Sequence, residues 1–392
     1  MPLNKERAKE IISRAGVDAV VGTSPANVYY ITDYNSLAME LSSGLQSYAL
    51  LPLDGEPAII APLNEVDLVA ESDSWVKDIY YFGTLNINVA KGAKITDVTK
   101  RIIESASRET YDTPCDGLTI AVTKKGLSKK KIAVDLNNLS PLRWEQMHRN
   151  LPEVDFIDGT ELLNEIRAVK TPEEVERIQR ATEITEKAME DALEIAQPEI
   201  MEIDLAGMFN YSITEDGGRV TLDHIGFGER SAYPNPVPTT LKSKKGDLIR
   251  FNLGASWGHY NGNVTRTAAL GKASPEAEKR LTAVVDAQEA AFDAIKPGVP
   301  ISDIYVAAEK ELKKIGVKEY AANLGHSIGI ECNEHPLVTK GMGFSIEEGM
   351  VLNIDIPYLE LGWGGIELED TLLVTKKDFK LLTNTERTVY LL

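Results

Sequence analysis

Cysteine is scarce in this chain of 392 residues, which has only Cys115 and Cys332. Lying in separate halves of the sequence, they offer neither a disulfide framework nor a thiolate zinc cluster, and they read as two incidental thiols. Basic residues are also in deficit. The 42 Lys and Arg against 60 Asp and Glu leave a formal charge of -18, which would repel a phosphate backbone and argues against nucleic-acid binding. Long apolar runs are missing, since no segment approaches about 18 uninterrupted apolar residues. The opening Met1-Pro2-Leu3-Asn4-Lys5 has no stretch suited to a signal peptide, so the expectation is a cytoplasmic protein with no membrane partner. No glycine-rich phosphate loop follows a strand pattern, and no short-period repeat suggests a solenoid. The lysines at 124–125 and 129–131 read as a solvated turn.

What is present is 43% hydrophobic residues over a length that can bury two cores. Asn4 is placed to cap a helix carrying Ala8, Ile11, Ile12 and Ala15, with Gly16 as its stop before Ala19-Val20-Val21. Further strand patterns fall at 49–51, 58–60, 79–81 and 132–134, giving the first half a mixed sheet flanked by helices. A boundary is expected near residue 160. Beyond it Thr171-Pro172-Glu173-Glu174 carries a capping box, and an apolar face runs from Val175 to Ile195. Two more helices are expected from Ser274-Pro275 and from Ser302, with strands over 248–253, 350–356 and 371–375.

Polar residues set among glycines and strand residues mark four segments of the second half. These are 228–235, 252–267, Gly325-His326-Ser327-Ile328-Gly329, and Asp355 with Glu369-Asp370. Each is weak alone, because a lone His beside glycine or a strand-end Asp is usually structural. Together they resemble the "pita-bread" hydrolases: aminopeptidase P, prolidase, creatinase and, more distantly, methionine aminopeptidase. Thr23-Ser24-Pro25-Ala26-Asn27-Val28-Tyr29-Tyr30 looks like the N-terminal-domain signature of that family, and 166–174 like the entry into its catalytic domain. The most specific likeness is in 347–355 and Gly364-Gly365-Ile366-Glu367-Leu368-Glu369-Asp370-Thr371. The resemblance implies an α/β (α+β) fold, with an N-terminal creatinase/prolidase-like domain over 1–160 and a pita-bread domain over 161–392.

The resemblance also implies two divalent metals (Mn, Co or Zn) held by two aspartates, a histidine and two glutamates. Here the aspartate positions are Asn252 and Asn263, the histidine is His326, the first glutamate is shortened to Asp355, and the second is Glu369. Two family histidines that orient substrate are matched by Asn235 and Asn333, while His335 and His224 nearby offer alternative alignments. Amide oxygens are neutral, weaker ligands, so two dications on Asp355 and Glu369 alone would leave roughly +2 uncompensated. The expectation is at most one divalent ion on His326, Asp355 and Glu369, or none.

The creatinase route, a histidine acting on a guanidinium-type substrate without metal, also lacks its histidine in Tyr233-Pro234-Asn235-Pro236-Val237. Three readings stay open. The first is a divergent hydrolase of a small amide or peptide C–N bond, with His326, Glu369, Asp355 and His224 as catalytic candidates and Asn235, Asn333, His335 and Arg266 as substrate-binding ones. The second is a non-catalytic descendant that binds a peptide or metabolite, like the metal-free pita-bread domain of a histone-chaperone subunit. The third makes the polar residues purely structural and gives the function to a dimer interface. The family likeness further implies a homodimer, with Tyr29, Tyr30 and Tyr34 expected as exposed aromatics, and a small ligand in a partly covered cleft.

Overall fold

The computed structural model describes residues 2–42, 44–72, 74–316 and 322–392, and the chain divides into two compact units, Met1–Arg167 and Ala168–Leu392. The division falls near the end of the helix Thr160–Ala168. No described helix is long and apolar enough to cross a membrane.

The first unit is a mixed seven-stranded sheet in the order β5-β4-β3-β2-β1-β6-β7. Its strands are β1 Ala19–Gly22, β2 Tyr48–Pro52, β3 Ala58–Pro62, β4 Asp78–Phe82, β5 Thr110–Tyr111, β6 Lys131–Val134 and β7 Asp155–Asp158. The helices are α1 Lys5–Arg14, α2 Pro25–Thr32, α3 Leu37–Leu41, α4 Val66–Glu71, α5 Asp97–Ala106, α6 Pro114–Lys124, α7 Pro141–Asn150 and α8 Thr160–Ala168. Asn4 caps α1 as expected, its side chain accepting from the Arg7 N–H.

The three tyrosines expected at the surface are instead buried. Ser24 caps α2, and every residue from Ala26 to Thr32, Tyr29 and Tyr30 included, is buried. Tyr34 donates to the buried carboxylate of Glu65, which also accepts from Ser36 Oγ at 2.8 Å and from the Ala38 N–H. A carboxylate supplied with that many donors keeps the segment inside, so the homodimer expectation loses its aromatic support.

The second unit is a sheet in the order β12-β11-β13-β14-β10-β9-β8, with β15 paired to β14 and β16 to β10. Its strands are β8 Arg219–Phe227, β9 Leu248–Trp257, β10 Tyr260–Ala269, β11 Asn323–Ser327, β12 Glu334–Thr339, β13 Val351–Glu360, β14 Gly364–Val374, β15 Phe379–Leu381 and β16 Val389–Leu391. Four helices, α9 Pro172–Glu194, α10 Glu202–Glu215, α11 Pro275–Asp293 and α12 Ser302–Leu312, pack against it. Ile184, Met189, Leu205 and Phe209 bury against Phe251, Leu253, Val264 and Ala268. Val284, Ala287 and Ile304 do the same against Leu352, Ile354, Ile356 and Leu368. These sheet residues share one face by strand alternation, so the opposite face is left for polar chemistry. At Gly262 a Cβ would come within 2.3 Å of the Thr182 nitrogen, so glycine lets α9 lie directly on β10.

The capping box at the start of α9 forms, with Glu174 accepting from the Thr171 N–H at 2.7 Å and from the Tyr260 hydroxyl at 3.0 Å. Burial pushes the Glu174 carboxyl up from 4.5 to about 7, against the opposing effect of the Thr171 N–H. The folded chain therefore holds this proton more tightly than the unfolded chain, and its contribution to stability falls as pH rises from about 4.5 to about 7. Glu174→Gln keeps an acceptor oxygen for the Thr171 N–H, offers its Nε2 to the Tyr260 hydroxyl, which can accept, and has no proton to lose. Urea denaturation across that window should show a flatter loss of stability in the variant than in the wild type.

Candidate functional site

Register in the second unit sets polar side chains in rows on the face away from the helices. His224 of β8 lies opposite Asn252 of β9, Asn252 opposite Thr265 of β10, Thr265 opposite Glu369 of β14, and Glu369 opposite Asp355 of β13. Directly opposed residues point to the same side, so one row holds three of the expected site residues, His224, Glu369 and Asp355, together with Asn252. The next row runs through Asn263, Thr371, Asn353 and His326; Asn353 pairs with both Thr371 and His326, and Thr371 Oγ1 lies 3.3 Å from the Asn263 carbonyl. On the other side stand Arg250, opposite Thr267, and Glu367, whose N–H donates to Thr267 Oγ1 at 3.2 Å.

Glu369 is held at both oxygens, by Asn353 Nδ2 at 2.7 Å and Thr265 Oγ1 at 2.9 Å. Thr371 Oγ1 in turn donates to Asn353 Oδ1 at 2.7 Å, which fixes the amide's orientation. His326 Nδ1 is 3.0 Å from the Ser327 carbonyl, a group that can only accept, so the ring proton sits on Nδ1. Nε2 then carries the lone pair, 3.7 Å from Glu369 Oε1. Burial lowers the His326 pKa, with the Ser327 carbonyl opposing, and burial pushes Glu369 up to about 7. Asp355 is raised well above its ordinary value by burial and by the charges of Glu367 and Glu369. A neutral imidazole thus faces a carboxyl that titrates near neutrality.

Residues 176–376 match the metallopeptidase family M24, and residues 5–169 match the creatinase/prolidase N-terminal domain. The chain belongs to family M24. It is 26% identical to a putative dipeptidase, YkvY, of Bacillus subtilis over 99% of both chains. It is 34% identical to the Xaa-Pro dipeptidase of Pyrococcus furiosus over 61% of this chain and 69% of that one. The solved prolidase from Pyrococcus furiosus superposes with a TM-score of 0.77 at 25% identity, covering 96% of this chain and 99% of that one. The prolidase from Pyrococcus horikoshii gives 0.79 at 25%, covering 98% and 99%. The α/β architecture, with a creatinase-type first domain and a pita-bread second domain, is thereby that of the prolidases.

Among the described residues no group of three or more His, Cys, Asp or Glu side chains that could hold an ion is found, the expected triad His326, Asp355 and Glu369 included. Asn263 gives its Nδ2 to Cys332 Sγ at 2.9 Å, and burial pushes that thiol up to about 11. Three oxygens on this face are buried without a hydrogen-bond donor from the protein: Asn252 Oδ1, Asn263 Oδ1 and Asp355 Oδ1. Orphaned acceptors of this kind await donors from something bound.

Arg266, expected to bind substrate, is on the wrong face. It neighbours Thr265 in β10, so alternation turns it toward the helices, where it is fully buried. All five of its N–H groups are committed: Nε to the Glu386 carbonyl, Nη1 to those of Thr265 and Glu369, and Nη2 to Asp370 and the Thr385 carbonyl. No donor remains for a ligand. Asn235 is exposed in the loop after β8, Asn333 is exposed just before β12, and His335 is exposed on β12. None of the three lies in the polar rows. His224 does, and burial lowers its pKa.

Sequence reasoning missed Arg250, Thr265, Asn353, Glu367, Thr371 and Cys332. All but Cys332 stand two residues from an expected site residue on the same strand, so period-two counting from Asn252, Asn263, Asp355 and Glu369 reaches them. Arg250 is fully buried, bonded to Glu367 and to the Tyr233 carbonyl, and it ties the loop bearing Asn235 to the sheet.

Arg266→Ala would leave Asp370 buried without its cation. It should cost ~3–5 kcal/mol of stability, read by chemical denaturation, while leaving the affinity of any ligand on the polar face unchanged in the fraction that stays folded.

Proposed function

We propose that this chain is a divergent hydrolase of a small amide or peptide C–N bond that works without a two-ion centre. The observation that carries the reading is the His326–Glu369 pair, 3.7 Å apart, on the same face as three partnerless buried oxygens. In this reading the oxygens of Asn252, Asn263 and Asp355 receive N–H groups of the substrate. His326 Nε2 takes a proton from the attacking water as the C–O bond forms. The protonated carboxyl of Glu369 gives a proton to the departing nitrogen as the C–N bond breaks, and transfer from His326 to Glu369 restores the pair. His224, at the end of the same row, orients the substrate.

The test is a panel of Xaa-Pro dipeptides and small amides with chelator-treated protein. His326→Ala and Glu369→Gln should each lower kcat about 10²–10⁴-fold while ligand affinity stays within a few-fold. A specific observation favours a second reading: Asn235 and Asn333 supply no ionisable nitrogen where the family has histidines. If the protein bound a dipeptide and turned over none of the panel, it would be a non-catalytic binder of peptides or metabolites.

Metal content follows from the charge count. After loading with Mn, Co or Zn and removal of excess, the wild type should retain at most one weakly held ion per chain. Asn252→Asp combined with Asn263→Asp restores four carboxylates and should take up a second ion and tighten the first. Two tightly held ions in the unmodified protein would return the ordinary two-metal peptidase to first place. A homodimer is proposed on family likeness alone, and monomeric behaviour in light scattering would remove it.

A further inference from the structure

The first unit contains a cavity of about 330 Å³ that no part of the peptidase reading uses. One wall is the edge of β4, where Lys77 and Tyr81 stand an even number of residues apart and so share a face. The facing wall comes from α5, where Arg101, Glu104, Ser105 and, just past the helix end, Arg108 recur at the i, i+3, i+4, i+7 spacing of a single helix face. A helix lying on a sheet ordinarily turns apolar side chains along that stripe. Here the stripe carries two guanidiniums, a hydroxyl and one carboxylate.

The polar groups are incompletely used. Arg101 spends Nε and Nη2 on the single carbonyl of Ala70, at 3.2 and 2.7 Å, and keeps its other N–H groups. Lys77 donates once, to the Ser74 carbonyl at 2.9 Å, and has two further protons to give. The Arg108 side chain has no hydrogen bond or ion pair among the described residues. Glu104 is the one acid among the described lining residues, and it lies 3.9 Å from Lys100. Tyr81 is 1% exposed, and its hydroxyl is buried with no hydrogen bond of ordinary geometry; burial raises its pKa, and the Ser105 side chain and the Arg108 guanidinium beside it act the other way. A buried phenol aimed into a cavity edged by three cations is a donor waiting for an acceptor. Local charge here opposes the chain's net -18, so the feature is not a by-product of composition.

We propose that this cavity binds a small organic anion through Lys77, Arg101 and Arg108, with the Tyr81 hydroxyl completing the donor set. The shared chemistry is a compact group of acceptor oxygens, phosphate or carboxylate, which planar guanidiniums engage in pairs. Isothermal titration of the full chain at low ionic strength with inorganic phosphate, and separately with citrate, tests it. One-to-one saturable binding is expected, and the tighter of the two probes identifies the class. Arg108→Ala should weaken it roughly tenfold or more, and Tyr81→Phe, which deletes one oxygen, should weaken it severalfold with the circular dichroism unchanged. Lys129→Ala, a surface cation outside the cavity, should leave it unaltered. Absence of saturable binding with both anions overturns the proposal. So does a loss with Arg108→Ala that Tyr81→Phe does not share, because diffuse attraction to surface charge would behave that way.

Discussion

Thr265 lies opposite Glu369, and Glu369 opposite Asp355, and that antiparallel register decides which side chains of the second unit can meet. A slip by one residue would turn Glu369 and Asp355 into the helix-covered core and bring Asp370 and Ile354 out. Everything polar in the site hangs on this parity: Asn252, Asn263, Thr265, Asn353 and Thr371 reach the open face because each is an even step from a paired position. The helices enforce it from behind, since Leu352, Ile354, Ile356 and Leu368 must all stay buried at once.

Two arginines show what each face demands. Arg266, among the helices, is saturated with acceptors, as a cation in a closed interior must be. Arg250, on the polar face, is bonded to Glu367 and to loop carbonyls, yet its Nε is buried without a partner. Three carboxyls, Asp355, Glu367 and Glu369, crowd this face with a single guanidinium among them. Burial, with the neighbouring carboxylates adding to it, raises both Asp355 and Glu369.

Much of the fold was legible in the sequence because its signals are local. Asn4, the Thr171–Glu174 box and Ser274-Pro275 all begin helices where capping chemistry places them, and strands form at each apolar run singled out. The candidate site was legible only through family likeness, which supplied strand positions but not facing. Arg266 was misjudged for that reason: its charge suggested a ligand, whereas parity with Thr265 put it in the core. The burial of Tyr34 was missed because its partner, Glu65, is remote in sequence and nothing near Tyr34 announces it. Cys332 reads as an incidental thiol in the sequence because a lone cysteine carries no pattern, and its bond to Asn263 exists only once the loop before β12 meets β10.

Glu186 of α9 has a role that bears on how the chain is made. Its carboxylate accepts from the Asn384 and Thr385 N–H groups at 2.6 and 2.7 Å, and the carbonyls of Thr385 and Glu386 are the ones that receive the Arg266 guanidinium. These acceptors therefore emerge from the ribosome 119 and 120 residues after the arginine that donates to them. Until then Arg266 has its charge partner in Asp370 but no acceptors for its Nε proton and its second Nη2 proton, so full closure of the second unit waits on translation reaching that clasp. Premature termination between β14 and residue 384 would remove β16 and leave two N–H groups of a buried guanidinium without acceptors, a species for quality-control proteases.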